Sequence, residues 1–166
     1  RQDGEINLPV GKYFADGFKL ESYTGTTYKF QASLNINAGK YYEGKRLNIK
    51  TSLLYRIQPI GTLSLTLDYN NVTQNKPFPS ATFYVLGTKA DIAFRKDLFS
   101  STFLQYNTQI NNFNINTRLQ WRFAPVSDIF LVYTDNSFAQ TIDPNIRFFS
   151  LKNRAVVLKA VYWLNL

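Results

Sequence analysis

The sequence predicts an all-β fold, an antiparallel up-and-down transmembrane β-barrel of about nine strands, on three observations. The first is the stretch 112–123. There Phe113, Ile115, Thr117, Leu119, Trp121 and Phe123 alternate with Asn112, Asn114, Asn116, Arg118, Gln120 and Arg122. Successive side chains on a strand point to opposite faces, so this strand has one apolar and one strongly polar face. It runs for about 12 residues, where a soluble strand runs for 5–6 and a strand crossing a bilayer at a tilt needs 9–11. The second is the order of connections. Those at 58–61, 96–98 and 124–127 are short, and those at 39–44, 71–79 and 135–153 are longer. Short and long alternate in the same way between the periplasmic and extracellular ends of a bacterial barrel. The third is a row of aromatics, Tyr55, Phe94, Phe123 and Tyr162, all on the outward face near the short-turn ends. That is the place of an aromatic girdle at a membrane interface.

Taken in order, residues 1–15 carry Gly4, Pro9 and Gly11 with no sustained period and read as an extracellular loop. Strand 16–24 sets Phe18 and Leu20 against Lys19, Glu21 and Tyr23. Strand 27–38 sets Tyr28, Phe30, Ala32, Leu34 and Ile36 against Lys29, Gln31, Ser33, Asn35 and Asn37. In 46–56, Leu47, Ile49, Thr51, Leu53 and Tyr55 stand opposite Arg46, Asn48, Lys50, Ser52 and Arg56. The cleanest alternation is 62–70, where Leu63, Leu65, Leu67 and Tyr69 face away from Ser64, Thr66, Asp68 and Asn70. Strand 81–95 groups Tyr84, Leu86, Ala90, Ile92 and Phe94, with Lys89, Asp91 and Arg95 behind, beside Phe83 and Val85. In 99–108, Thr102, Leu104 and Tyr106 are placed outward and Phe103, Gln105 and Asn107 inward. After 112–123 come 128–134 and, last, 154–166, with Val156, Leu158, Ala160 and Tyr162 outward and Lys159 inward. The last strand ends on the short-turn side, which puts the C-terminus in the periplasm.

Composition is consistent with this reading and narrows the chemistry. The chain has 166 residues, 45% apolar and 16% aromatic, with a formal net charge of +8. It suits one domain, 1–166, either a whole barrel or the C-terminal part of one. No apolar run approaches the roughly 20 residues of a membrane helix. There is no Cys and no His, which removes thiolate metal sites, disulfides and the commonest general base. Basic residues are spread singly through strands, a pattern of lumen and rim charge rather than of a nucleic-acid surface. Parity puts Lys29, Arg46, Lys50, Lys89, Arg95, Arg118, Arg122 and Lys159 inward, against fewer acids, Glu21, Asp68, Asp91 and Asp128. An open lumen so lined favours anions. Asp68 and Asp91 are the nearest thing to a catalytic carboxylate pair, and read instead as members of a charge network, since sheltered charges need partners. No phosphate cradle or nucleophile elbow is present. The expectation is a protein with no catalytic, metal or cofactor site.

The phrases RLQWRFAPVSDIFLVY and RAVVLKAVYWLNL resemble the C-terminal barrel of a family of outer-membrane proteins from Bacteroidetes-type bacteria. In that family the barrel follows an N-terminal domain resembling a carbohydrate-binding module. NLPVGKY and STFLQYN extend the resemblance more loosely over most of the chain. The module-like domain is absent from this sequence, and the last residue is Leu166, where a C-terminal aromatic is the commoner ending. The resemblance implies a bacterial outer-membrane location and an association with carbohydrate, and it carries over no functional residue. The favoured function is a non-enzymatic barrel, porin-like or an anchor or scaffold in an envelope complex, with outer-membrane lipid and further polypeptide segments as partners. The alternative is a soluble lipocalin-like barrel holding an apolar ligand, with the faces reversed; a carbohydrate-processing surface protein is a third reading. Nine strands is an odd number and leaves 16–24 with a free edge. The expectation is therefore an open or co-assembled wall rather than a closed eight-stranded barrel.

Overall fold

A computed structural model describes residues 16–42, 44–76, 78–139 and 150–164. They form nine strands: β1 (Gly17–Tyr23), β2 (Phe30–Tyr41), β3 (Gly44–Ile57), β4 (Gly61–Thr73), β5 (Ala81–Arg95), β6 (Leu98–Asn107), β7 (Asn112–Ala124), β8 (Ser127–Phe138) and β9 (Leu151–Val161). Each strand pairs antiparallel with the next, in one sheet ordered β1 to β9. Among the described residues there is no helix. The sheet is not closed: β1 and β9 are its two edges. The expected loop at 1–15 lies outside the described residues, as do 140–149 of the loop expected at 135–153 and the last two residues.

Most strands run further than the alternation suggests toward the long-loop ends, whereas β2 begins at Phe30 rather than at 27 and the pairing of β9 ends at Val161, short of the expected 166. β2 continues to Tyr41 and β3 begins at Gly44, so the connection expected at 39–44 shrinks to two residues. Tyr42 takes a φ of 54° there, the left-handed region that a tight reversal needs. On the opposite side, 24–29 is the longest of the connections expected to be short. The short–long alternation therefore holds from β3 onward and reverses at the first hairpins. At the other end Asp135–Phe138 belongs to β8 and pairs with β9, which starts at Leu151. Polar residues there read as loop because strand pairing, not apolar alternation, holds them.

Register carries the two faces unbroken across the sheet. Ile36 stands opposite Ile49, Ile49 opposite Tyr69 and Tyr69 opposite Tyr84. Leu104 links Thr88 to Ile115, and Leu131 links Leu119 to Leu158. The outward placement of Thr102, Leu104 and Tyr106 thus matches the apolar row of the neighbouring strands. On the other side run Asn37, Asn48 and Asn70, and Asn35, Lys50 and Asp68.

In β4 and β5 the distribution of shelter inverts the pattern of a water-soluble sheet. Ala139 is the one buried hydrophobic side chain among the described residues, whereas Asn48 and Asn70 are 5% and 7% exposed. Leu63, Leu65 and Leu67 are exposed while Ser64, Asp68 and Asn70 are less so, with Thr66 the exposed exception on the polar side. In β5, Tyr84, Leu86, Ile92 and Phe94 are exposed, and Phe83, Val85, Gly87 and Asp91 behind them are sheltered. A curved layer shelters the side chains on its inner side, and because β4 and β5 shelter the polar face we read that face as the concave one.

Candidate functional site

Two features of this sheet are built rather than incidental: a polar network on the concave face and aromatic rims on the convex face. In the network, Asn48 Nδ2 donates to Asp68 Oδ1 at 2.7 Å and to Asn70 Oδ1 at 3.0 Å. Asn70 Nδ2 donates to the same Asp68 oxygen at 2.8 Å, and Lys50 Nζ stands 3.4 Å from Asp68 Oδ2. Two asparagines, one carboxylate and one ammonium thereby satisfy each other across β3 and β4, as sheltered polar groups must. Nearer the short turns Lys89 Nζ lies 2.8 Å from Asp91 Oδ2, and Ser101 Oγ donates to Asp91 Oδ1 at 2.7 Å. Arg122 Nε lies 3.4 Å from Asp128 Oδ1, which also accepts from Gln120 Nε2 at 3.0 Å. Asp68 and Asp91 are held in separate clusters, each with its own lysine, the arrangement of a charge network rather than of a converging catalytic pair.

Gly87 adds a packing role that alternation does not reveal. A Cβ there would meet Thr66 Oγ1 at 2.7 Å and the Phe103 ring at 3.5 Å. Its absence lets Phe103 lie against the β5 backbone on the concave face.

The structure also places each sequence-predicted charge. Lys29 precedes β2, and its carbonyl accepts from Arg56 N at 2.8 Å. Arg46, Lys50, Asp68, Lys89, Asp91, Arg118, Arg122 and Lys159 follow the parity of the polar face, whereas Lys29 lies outside the paired strands. Arg95 departs from it. A bulge between Ala93 and Arg95 inserts one residue, so Arg95 pairs with Leu98, which stands opposite Trp121 on the apolar face. There Arg95 Nη2 meets Asp97 Oδ2 at 3.0 Å, and the same oxygen accepts from Trp121 Nε1 at 3.2 Å. A bulge shifts two residues against one, which is why alternation alone puts Arg95 on the wrong side.

Tyr55, Phe94, Phe123 and Tyr162 are exposed near the short-turn ends of β3, β5, β7 and β9, with Phe94 and Phe123 at the two bulges and Tyr162 just past the last paired residue of β9. Phe123 and Tyr162 stack with centroids 6.3 Å apart and planes 8° from parallel, and Trp121 tilts against Phe123 at 6.0 Å. Trp121 thus belongs with the four. Its indole N–H bonded to Asp97 and its ring on the apolar face mark it, a combination that suits an interface with one wet and one apolar side. A second row was not singled out by sequence reasoning. Tyr69 stands opposite Tyr84 and Tyr106 opposite Phe113, near the long-loop ends of the same face. Tyr84 and Tyr106 meet edge to face at 5.8 Å. The signal was present as aromatics at the far end of each alternating run, but it needed the register to align them. Beyond this row, on the same side, Asp135 accepts from Arg154 Nε at 2.8 Å, Ser137 Oγ at 2.6 Å and Tyr133 OH at 2.9 Å.

Among the described residues no group of three or more His, Cys, Asp or Glu side chains converges on a metal-sized site. Among them, too, no helix is long and apolar enough to cross a membrane. Comparison with family models, with curated proteins and with solved structures gives no match to this chain.

Proposed function

We propose that the chain is a wall of an outer-membrane β-barrel, non-enzymatic, serving as a pore, anchor or scaffold of the cell envelope. The observation that carries the reading is the inverted shelter: Leu63, Leu65 and Leu67 exposed on the convex side, Asn48, Asn70 and Asp68 sheltered on the concave side. An uncovered apolar face of this extent has no stable place in water, and hydrocarbon covers it without any partner chain. The aromatic rows agree in spacing. Tyr84 and Phe94 are ten positions apart in β5, and Phe113 and Phe123 ten apart in β7. Ten residues span about 33 Å along a strand, or about 24 Å of depth at a barrel's tilt, against an apolar band of about 25 Å. The resemblance of 118–133 and 154–166 to the C-terminal barrel of Bacteroidetes-type outer-membrane proteins supports the same assignment, and with it a periplasmic C-terminus.

A lipocalin-like protein would turn the leucines inward and the asparagines outward, so the sense of curvature weighs against it. The test is retention and depth. The protein in its native membrane is expected to resist alkaline carbonate and to need detergent for release. With Trp163→Phe leaving one tryptophan, Trp121 fluorescence is expected to be quenched more by lipid brominated near the headgroup than by lipid brominated at the chain end. Release by carbonate, or an emission untouched by either lipid, would overturn the proposal.

A further inference from the structure

On the concave face each carboxylate among the described residues has its own cation. Glu21 pairs with Lys19 at 2.8 Å, Asp68 with Lys50 at 3.4 Å, Asp91 with Lys89 at 2.8 Å and Asp128 with Arg122 at 3.4 Å. Arg46, Arg56, Arg118 and Lys159 share that face, Lys29 adjoins it just ahead of β2, and none of the five has a carboxylate within 4.0 Å among the described residues. What they do touch leaves their charge intact. Arg56 Nη1 donates to Thr26 O at 3.1 Å, Arg118 lies over the Phe130 ring at 5.7 Å, and Arg46 lies over Tyr41 at 5.8 Å.

Four of these five cations follow one cross-strand line, from the short-turn end of β3 to Arg118 midway along β7. Arg56, Thr62, Asp91, Ser101 and Arg118 are successive cross-strand neighbours from β3 to β7. Lys29 adjoins Arg56 at the head of that line. At its tail Arg118 stands opposite Val132 and Val132 opposite Val157, with Lys159 two residues nearer the short turns. Arg46 lies apart, at the long-loop end. Along the middle of the line is a hollow of about 350 Å³ bordered by Thr62, Asp91, Phe99, Ser101, Arg118 and Gln120, its one carboxylate, Asp91, held by Lys89. The hydroxyls of Thr62 and Ser101 are already turned to Asp91, and the Gln120 amide to Asp128. Attraction along the line therefore comes from uncompensated charge rather than from a shaped hydrogen-bond cradle, and a field of fixed charges favours ligands by their valence.

We propose that Lys29, Arg56, Arg118 and Lys159 form an anion-collecting band on the concave face, taking small multivalent oxyanions such as phosphates and sulfates from solution. The proposal rests on the reading that this face lines an aqueous interior. Rows of Arg and Lys serve the same purpose in anion and phosphate pores. Because the band acts through charge, it binds whether the interior conducts or is plugged.

The test is equilibrium binding of the trianionic dye pyranine to the full-length protein in neutral detergent, followed by polarisation and displaced by inorganic phosphate. Combining Lys29→Gln, Arg56→Gln, Arg118→Gln and Lys159→Gln is expected to weaken dye binding at least about tenfold. Arg46→Gln, and a control combining Lys40→Gln, Lys45→Gln, Lys76→Gln and Lys96→Gln, are expected to change it by less than about twofold. Phosphate is expected to displace the dye at lower concentration than chloride at equal ionic strength. Equal losses in the band and control variants, or no difference between phosphate and chloride, would overturn the band. Far-ultraviolet circular dichroism of each variant separates a binding loss from unfolding. Retention in carbonate-washed membranes is scored on the same preparations. A protein that binds dye through the four residues yet washes out keeps the band and loses the membrane wall, and the reverse result keeps the wall and loses the band.

Discussion

Leu65 and Ser64 are neighbours on β4 with opposite surroundings, Leu65 exposed on the convex face and Ser64 half-sheltered on the concave one. If hydrocarbon covers the convex face, Leu65→Arg is expected to destabilise the folded protein by roughly 2–4 kcal/mol near midplane, and Ser64→Arg far less. Urea unfolding in liposomes measures both; equal tolerance would sink the orientation. Val126 gives a second residue-scale prediction. It occupies the two-residue turn between β7 and β8 with a φ of 57° and lies in the open, 64% exposed. A β-branched side chain in the left-handed region is strained by roughly 1–2 kcal/mol, partly offset in glycine by greater freedom when unfolded. Val126→Gly is expected to stabilise by about 1 kcal/mol in the same assay. The faces of Leu65 and Ser64 were legible from alternation alone, because period two is local. The strain at Val126 was not, since a valine in APVS carries no mark of its φ.

At the scale of strands, β8 and β9 show where reading by alternation stops. Asp135 and Arg154 each begin or end a polar stretch, and nothing in either stretch announces the other. Only the register, Asp135 opposite Arg154, brings them together. The side chain of Asp135 is 8% exposed and that of Arg154 54%. The pair is half-wet, so its loss is partly compensated by solvent. Asp135→Ala is expected to destabilise by about 1–3 kcal/mol, discounted for that screening. The effect should be local: amide exchange should quicken along 151–161 and remain unchanged in β4 and β5. Uniform quickening would show that the cluster is not a clamp on β9. The bulges at Ala93/Arg95 and Arg122/Ala124 were equally hidden, because each adds a residue without disturbing composition. The strands themselves were visible in the sequence, since apolar residues at every second position line one face of a strand and scatter around a helix. Their ends were not, since beyond the alternating length polar residues continue the ladder.

For the molecule as a whole, strand direction constrains what lies beside the open edges. β1 and β9 run the same way, being separated by an even number of antiparallel steps. Joining them directly, or setting β1 of a second copy beside β9 in the same membrane orientation, makes a parallel pair. An all-antiparallel wall therefore needs an odd number of further strands, which a second copy with nine strands in the same orientation does not place in antiparallel register. Single-chain bacterial barrels have even totals. The chain has no cysteine, so Ser22→Cys on β1 and Leu158→Cys on β9 can be introduced alone or mixed. No disulfide-linked homodimer is expected in native membranes, and a strong dimer band from the mixed pair would overturn the argument. The strict neighbour-to-neighbour order has a further consequence, for the time course of folding. Every pairing joins adjacent segments of chain, so the sheet can grow one hairpin at a time with little loop to close at each addition. The exception is the β8–β9 step, where the connection spans 139–150 rather than the two residues between β7 and β8. By its length alone, closing it costs about 1.5 kcal/mol more in chain entropy than the shortest turns. β9 should then be the slowest strand to dock, and the four-membered cluster at Asp135 forms only once it has, which makes that cluster the latch of the last hairpin.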